Sequence, residues 1–175
     1  MEKSATYSLW LEPTGNTAYK LQERIKQLSR KFGTPLFSPH VTLLGGLMAS
    51  KTELKALTDT LASSVTPFEL KLTKAGYLNT FYQSLFIHVE ENEGLTHLHD
   101  NACRLFDCPE EYENEYMPHL SLLYGDLTQH QKEEILNNIG RDFYIRFNAR
   151  KVVLMHTDGD PQQWKKVHTA MFKQG

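Results

Sequence analysis

The chain has 175 residues, 40% hydrophobic and 23% charged, an ordinary globular composition long enough to bury about two-thirds of its unfolded surface. Its net charge of −2 gives little of the counterion-release attraction that holds long nucleic acid, so a small or local anion is the expected partner. No window nears the roughly 20 apolar residues that span a bilayer, no secretory pattern opens the chain, and two cysteines are too few for a disulfide framework or a thiolate zinc site; a cytoplasmic monomer with no membrane association is expected.

In chain order, Tyr7, Leu9 and Leu11 alternate with Ser8, Trp10 and Glu12, which predicts a half-buried strand with Trp10 on its polar face. After a turn at Pro13 to Gly15, Leu21, Ile25, Leu28 and Phe32 recur at helical spacing. Residues 39–46 read Pro-His-Val-Thr-Leu-Leu-Gly-Gly, a strand running into a glycine turn. Ser50 with Glu53 is a capping-box pair opening a helix whose apolar face is Leu54, Leu57 and Leu61. Phe68, Leu70 and Leu72 alternate in a strand expected to pair with the apolar run Leu85 to Val89, the stretch from Gly76 to Tyr82 making the turn. Leu95, Leu98, Ala102 and Leu105 mark a third long helix.

Residues 118–125 then read Pro-His-Leu-Ser-Leu-Leu-Tyr-Gly. Against residues 39–46, five of eight positions are identical and two more exchange Val for Leu and Thr for Ser. The likeness continues: Thr128 with Gln131 caps a helix bearing Ile135 and Ile139, as Ser50 with Glu53 did before. Val152 to His156 and Trp164 to Phe172 close the chain as a hairpin around Asp158-Gly159-Asp160-Pro161. The ordered series of proline, His-x-hydroxyl strand, glycine turn, hydroxyl cap and amphipathic helix is an internal duplication. It predicts an α+β fold in a single domain, residues 1–175, with two pseudo-symmetric lobes. Each lobe is a mostly antiparallel sheet with helices on its outer face, and a cleft lies between them.

Alternate strand side chains share a face, so His40 points with Thr42 and His119 with Ser121, while Val41, Leu43, Leu120 and Leu122 pack beneath the helices. Two facing lobes then set two imidazoles around one site lined by two hydroxyl donors. That set suits in-line displacement at phosphorus. A neutral imidazole takes a proton from water and an imidazolium opposite protonates the departing oxygen, both forms being accessible because the unperturbed pKa is about 6.5. Thr42 and Ser121 donate to the non-bridging oxygens, where charge builds. No metal and no cofactor is called for. The lobes are nearly equivalent in sequence and leave open which histidine is base and which acid; His119 is taken to activate water and His40 to protonate the leaving oxygen.

Trp10, from the polar face of the first strand, is placed to line the cleft and stack on a base or sugar. Tyr124 has the opposite parity from His119 and enters the site only through a bend before Gly125. Tyr82, near the turn between the central strands, is a further substrate-binding candidate. The other histidines, at 88, 97, 99, 130, 156 and 168, lack a repeated hydroxyl partner and read as structural. The chain has no P-loop, dinucleotide fingerprint or nucleophile elbow.

With these paired His-x-Thr and His-x-Ser motifs, each followed by Leu-Leu, the chain resembles the two-histidine phosphoesterase superfamily. The resemblance extends to the closing Trp164-Lys165-Lys166-Val167 strand and is strongest to small cyclic nucleotide phosphodiesterases of plants and fungi. It implies a bilobal fold and metal-free hydrolysis of ADP-ribose 1″,2″-cyclic phosphate and of nucleoside 2′,3′-cyclic phosphates to 2′-phosphates. His40, Thr42, His119 and Ser121 match its motifs. Tyr124 falls where relatives place a substrate-contacting tyrosine, and Trp10 matches a first-strand tryptophan near the cleft. Plant relatives tend to carry two disulfide-capable pairs; here only Cys103 and Cys108 remain, and their disulfide requires the helix to end near Leu105 with Asp107 in a turn. Rival readings keep the chemistry on an RNA end with a cyclic phosphate or a 2′,5′ linkage, or reduce the protein to an AMP-binding module.

Overall fold

Hydrophobic alternation sets the inner face of a single antiparallel sheet. The computed structural model describes residues 5–108 and 115–174. Its elements are β1 (Tyr7–Leu11), α1 (Gly15–Phe32), β2 (Val41–Leu47), α2 (Lys51–Ser63), β3 (Phe68–Gly76), β4 (Leu85–Val89), α3 (Glu93–Leu105), β5 (His119–Leu123), α4 (Gln129–Ile139), β6 (Asp142–Ala149), β7 (Lys151–His156) and β8 (Lys165–Met171). Two short 3-10 turns, Phe81–Gln83 and Pro161–Gln163, precede β4 and β8.

The strands run in the order β6-β3-β4-β5-β2-β1-β7-β8, every neighbouring pair antiparallel. The sheet divides into two four-stranded halves. The first motif lies in the half β2-β1-β7-β8 and the second in β6-β3-β4-β5. They are joined where Val41 of β2 pairs with Leu120 of β5. The expected α+β bilobal arrangement is therefore realised as one curled sheet whose two central strands carry the duplicated motifs.

The inner-facing parity is apolar and solvent-free: Leu9, Leu11, Val41, Leu43, Leu120, Leu122, Val152 and Leu154 are all at most 1% exposed. Each such side chain contributes roughly 1.5–3 kcal/mol on burial, which fixes the register and sends the alternate residues to the opposite face. The helices cover the apolar face, α2 over β7 and β8, α1 over β5 and β6, and α3 over β2 and β3. Their starts follow the capping signals: Ser50 accepts from the Glu53 amide at 3.2 Å, and Thr128 with Gln131 makes the full reciprocal box.

One feature departs from the sequence reading. Strand β6 is absent from that reading, although Phe143, Ile145 and Phe147 alternate with polar residues; it forms the edge of the sheet beside β3. The cysteine segment has the backbone geometry that the sequence reading asks of a disulfide: helix α3 ends at Leu105, and Asp107 turns the chain with φ 51°. The Cys108 amide donates to the Cys103 carbonyl at 3.0 Å, and the two sulfurs are not joined. No helix among the described residues is long and apolar enough to cross a membrane.

Candidate active site

On the face away from the helices lies a cleft of about 740 Å³, within the usual size for a small-molecule site. His40, Thr42, His119, Ser121, Tyr124, Trp10 and Tyr82 all line it. Val41 and Leu120 pair directly, so in an antiparallel ladder His40 lies beside Ser121 and Thr42 beside His119. Each imidazole thus neighbours the hydroxyl of the other motif.

The two rings are oriented by the same device. His40 Nδ1 donates to the carbonyl of Ser38 at 2.7 Å, and His119 Nδ1 donates to the carbonyl of Met117 at 2.8 Å. A proton on Nδ1 leaves Nε2 of each neutral ring as the acceptor. The duplication therefore repeats a tautomer as well as a residue.

The two rings differ in solvation. His40 is 4% exposed, and burial lowers its pKa to about 4, against the opposing pull of the Ser38 carbonyl and with a further lowering from the nearby charge of His119. His119 is only partly buried; burial lowers its pKa too, opposed by the Met117 carbonyl and assisted by His88. His88 sits directly opposite His119 in the β4–β5 ladder.

Trp10 is 2% exposed, and its ring lies flat on His40, with centroids 3.4 Å apart and planes 5° apart. It forms a small front-face cluster with Val153 and Met155, against which Trp164 packs. Trp10 thus lines the cleft as expected, but one face of its ring is taken by the imidazole and little of the residue is exposed.

Tyr124 enters the site just past the end of β5. Gly125 makes this possible: its φ is 154°, and a Cβ there would meet the Thr34 methyl at 2.9 Å. The Tyr124 hydroxyl lies 3.4 Å from His40 Nε2, and burial raises its pKa, so it stays protonated and faces that nitrogen as a donor. Ser121 donates to the Tyr82 carbonyl at 3.2 Å; its hydroxyl must turn from that carbonyl to reach a phosphoryl oxygen. Tyr82 itself stands at the rim, 50% exposed.

Three cleft residues had no sequence signal. Tyr116 sends its hydroxyl across to the Thr42 carbonyl at 2.9 Å, joining the segment before β5 to β2. His99, from α3, stacks beneath Tyr116 with centroids 3.8 Å and planes 3° apart. Trp164 arrives from the turn before β8. All are single copies outside the repeat, so no internal comparison marks them.

A family model described as the 2′-5′ RNA ligase superfamily matches residues 8–161. The chain is a two-histidine phosphoesterase. The phosphoesterase is 24% identical over 131 residues to a cyclic phosphodiesterase of Arabidopsis thaliana, a match covering 75% of this chain and 71% of that one. Its fold is similar to that of the Thermus thermophilus protein TT0787, with a TM-score of 0.71 at 17% identity, covering 95% and 97% of the two chains. It is also similar to E. coli LigT complexed with 3′-AMP, with a TM-score of 0.64 at 16% identity, covering 98% and 100%. The phosphoesterase is accordingly a hydrolase of phosphodiesters.

Proposed function

We propose that the protein hydrolyses nucleoside 2′,3′-cyclic phosphates to 2′-phosphates, and ADP-ribose 1″,2″-cyclic phosphate to the 1″-phosphate, by general acid–base catalysis between His40 and His119. The observation that carries this reading is the repeated tautomer: both Nδ1 atoms are tied to backbone carbonyls two residues upstream, which makes Nε2 the proton-transfer atom of each ring in one cleft, the Tyr124 hydroxyl having to turn from His40 Nε2 to admit water. The named activity of the Arabidopsis relative supports the cyclic-phosphate substrate class. The E. coli LigT complexes with 3′-AMP, ATP and NADP+ belong to a similarly folded protein that accepts small nucleotides. Among the described residues no lysine or arginine lines the cleft and Glu115 does, which favours a small substrate over a long polyanion.

The difference in burial supports one division of roles. The solvent-excluded His40 holds its neutral form most firmly and takes the proton of the attacking water on Nε2. His119, nearer solvent, carries a proton more readily and delivers it from Nε2 to the departing oxygen. In a 2′,3′-cyclic phosphate the bond from phosphorus to O3′ breaks and a new P–O bond to water oxygen forms; one proton passes to His40 and one leaves His119. This order reverses the one taken from sequence, where the lobes look alike because solvation is not visible. Thr42 and Ser121 donate to the non-bridging oxygens, and Tyr124 fixes the sugar edge beside His40.

Phosphorus NMR of reactions with adenosine 2′,3′-cyclic phosphate and with ADP-ribose 1″,2″-cyclic phosphate tests the reading. Conversion to the 2′- and 1″-monoesters, undiminished by a chelator, is the expected result. Turnover only of an oligonucleotide cyclic end, or binding of AMP without turnover of any cyclic phosphate, overturns it.

A further inference from the structure

The sheet has two free edges, and they are not protected alike. Strand β8 carries Lys165 and Lys166, charges of the kind that keep an edge from pairing with another chain. Strand β6, at the other end, runs eight residues with no proline and no lysine, and its Tyr144 is 95% exposed. Its inner-facing side is also uncovered in part. Phe147 is buried like its counterparts on other strands, but Phe143 and Ile145 are only half-buried, because α1 lies mainly over β5.

Between α1 and β6 this leaves a crevice of about 470 Å³, which reaches down to Leu21, Ile87 and Leu122 in the core. Among the described residues three cations line it, Lys20, Arg24 and Arg146, and no acidic residue does. Lys20 and Arg24 stand four residues apart on one face of α1, where like charges repel. Among the described residues neither forms an ion pair. Arg146 meets Glu69 at 3.7 Å with both side chains exposed, a weak pairing. The charge pattern is the inverse of the catalytic cleft, which Glu115 lines and, among the described residues, no lysine or arginine does.

We propose that this edge docks an acidic peptide segment by strand addition. The segment pairs its backbone with β6, sets alternate apolar side chains over Phe143 and Ile145, and lays carboxylates against Lys20 and Arg24. Each part of the site calls for one part of that partner. An edge strand presents unpaired amides and carbonyls, which a second backbone satisfies. The half-buried apolar wall calls for side chains two residues apart, since these share a face. The cations call for acid. A second copy of this chain would bring its own Arg146 to the same edge, like charge against like, and a nucleic acid would leave the apolar floor unfilled. The crevice lies on the helix-covered side of the sheet, so the docked segment leaves the catalytic cleft open.

The test uses an eight-residue probe peptide, threonine alternating with two valines and then two glutamates, labelled with fluorescein and titrated with the intact protein. Saturable binding is expected, weakened about fivefold or more by Lys20→Glu or Arg24→Glu, with circular dichroism confirming the fold of each variant. Replacing the glutamates by lysines abolishes binding, and replacing the valines by serines weakens it. N-methylation at alternate positions separates strand addition from charge attraction. Only one parity of peptide amides faces β6, so one methylated series binds and the other does not. No saturation up to about 1 mM peptide, equal binding of the lysine peptide, or equal effects of the two methylated series each overturn the proposal. A dimer in sedimentation that the peptide cannot dissociate gives the edge to a second copy and overturns it too. So does an oligothymidylate that binds there more tightly than the peptide, which gives the edge to nucleic acid.

Discussion

Trp10 lies flat on His40, with ring centroids 3.4 Å apart and planes nearly parallel, and so acts as the wall that keeps water from one face of the imidazole. The pairing follows from the sheet: Trp10 of β1 stands opposite Thr42 of β2, two residues from His40. Burial is the largest cause of the lowered His40 pKa, so removing the wall relieves the penalty on the charged form and moves the pKa back up. Trp10→Ala is expected to shift the acid limb of the kcat/KM profile from near pH 4 toward 6.5. A limb that stays in place shows that Trp10 does not govern His40.

The proposed division of labour gives the whole pH profile a direction. A base works deprotonated, so the rate rises through the His40 pKa, about 4 in the free protein. An acid works protonated, so the rate falls through the His119 pKa, which burial sets below its ordinary value. kcat/KM should therefore form a bell whose optimum lies on the acid side of about pH 6.5. An acyclic p-nitrophenyl phosphodiester, whose leaving group needs no proton, separates the roles: it restores turnover to His119→Ala and leaves His40→Ala inactive. Rescue of the His40 variant instead reverses the assignment.

Tyr116 reaches from the second-motif segment to the Thr42 carbonyl, close to where β2 and β5 are joined through Val41 and Leu120. The bond holds the Thr42 end of the first motif against the second lobe. Tyr116→Phe keeps the ring on His99 and removes only the hydroxyl. A neutral hydrogen bond of this kind is worth about 0.5–1.5 kcal/mol, so kcat is expected to fall roughly two- to tenfold with KM nearly unchanged. In a Thr42→Ala background the same substitution should cost nothing further, because Tyr116 acts through Thr42. An undiminished loss in that background contradicts this.

The part of the site legible in the sequence is the part that the duplication wrote twice. His40, Thr42, His119 and Ser121 share a face by strand parity alone, and parity survives in any regular strand. Parity puts Trp10 on the right face, yet its neighbour is invisible in the sequence, since stacking on His40 depends on how β1 and β2 register. Trp164, Tyr116 and His99 reach the cleft from a turn, a loop and a helix, by tertiary placement that no periodicity encodes. Strand β6 carries the alternation of a strand, but at the sheet's edge its outward residues are polar or, like Tyr144, exposed, so no continuous apolar run marks it.

The most direct test of two imidazoles sharing one phosphate is turnover of adenosine 2′,3′-cyclic phosphate by His40→Ala and His119→Ala, each verified as folded. Loss of one acid–base group typically lowers the rate about 10²–10⁴-fold, and both variants are expected within or below that range. Either variant retaining activity within tenfold of wild type contradicts the account.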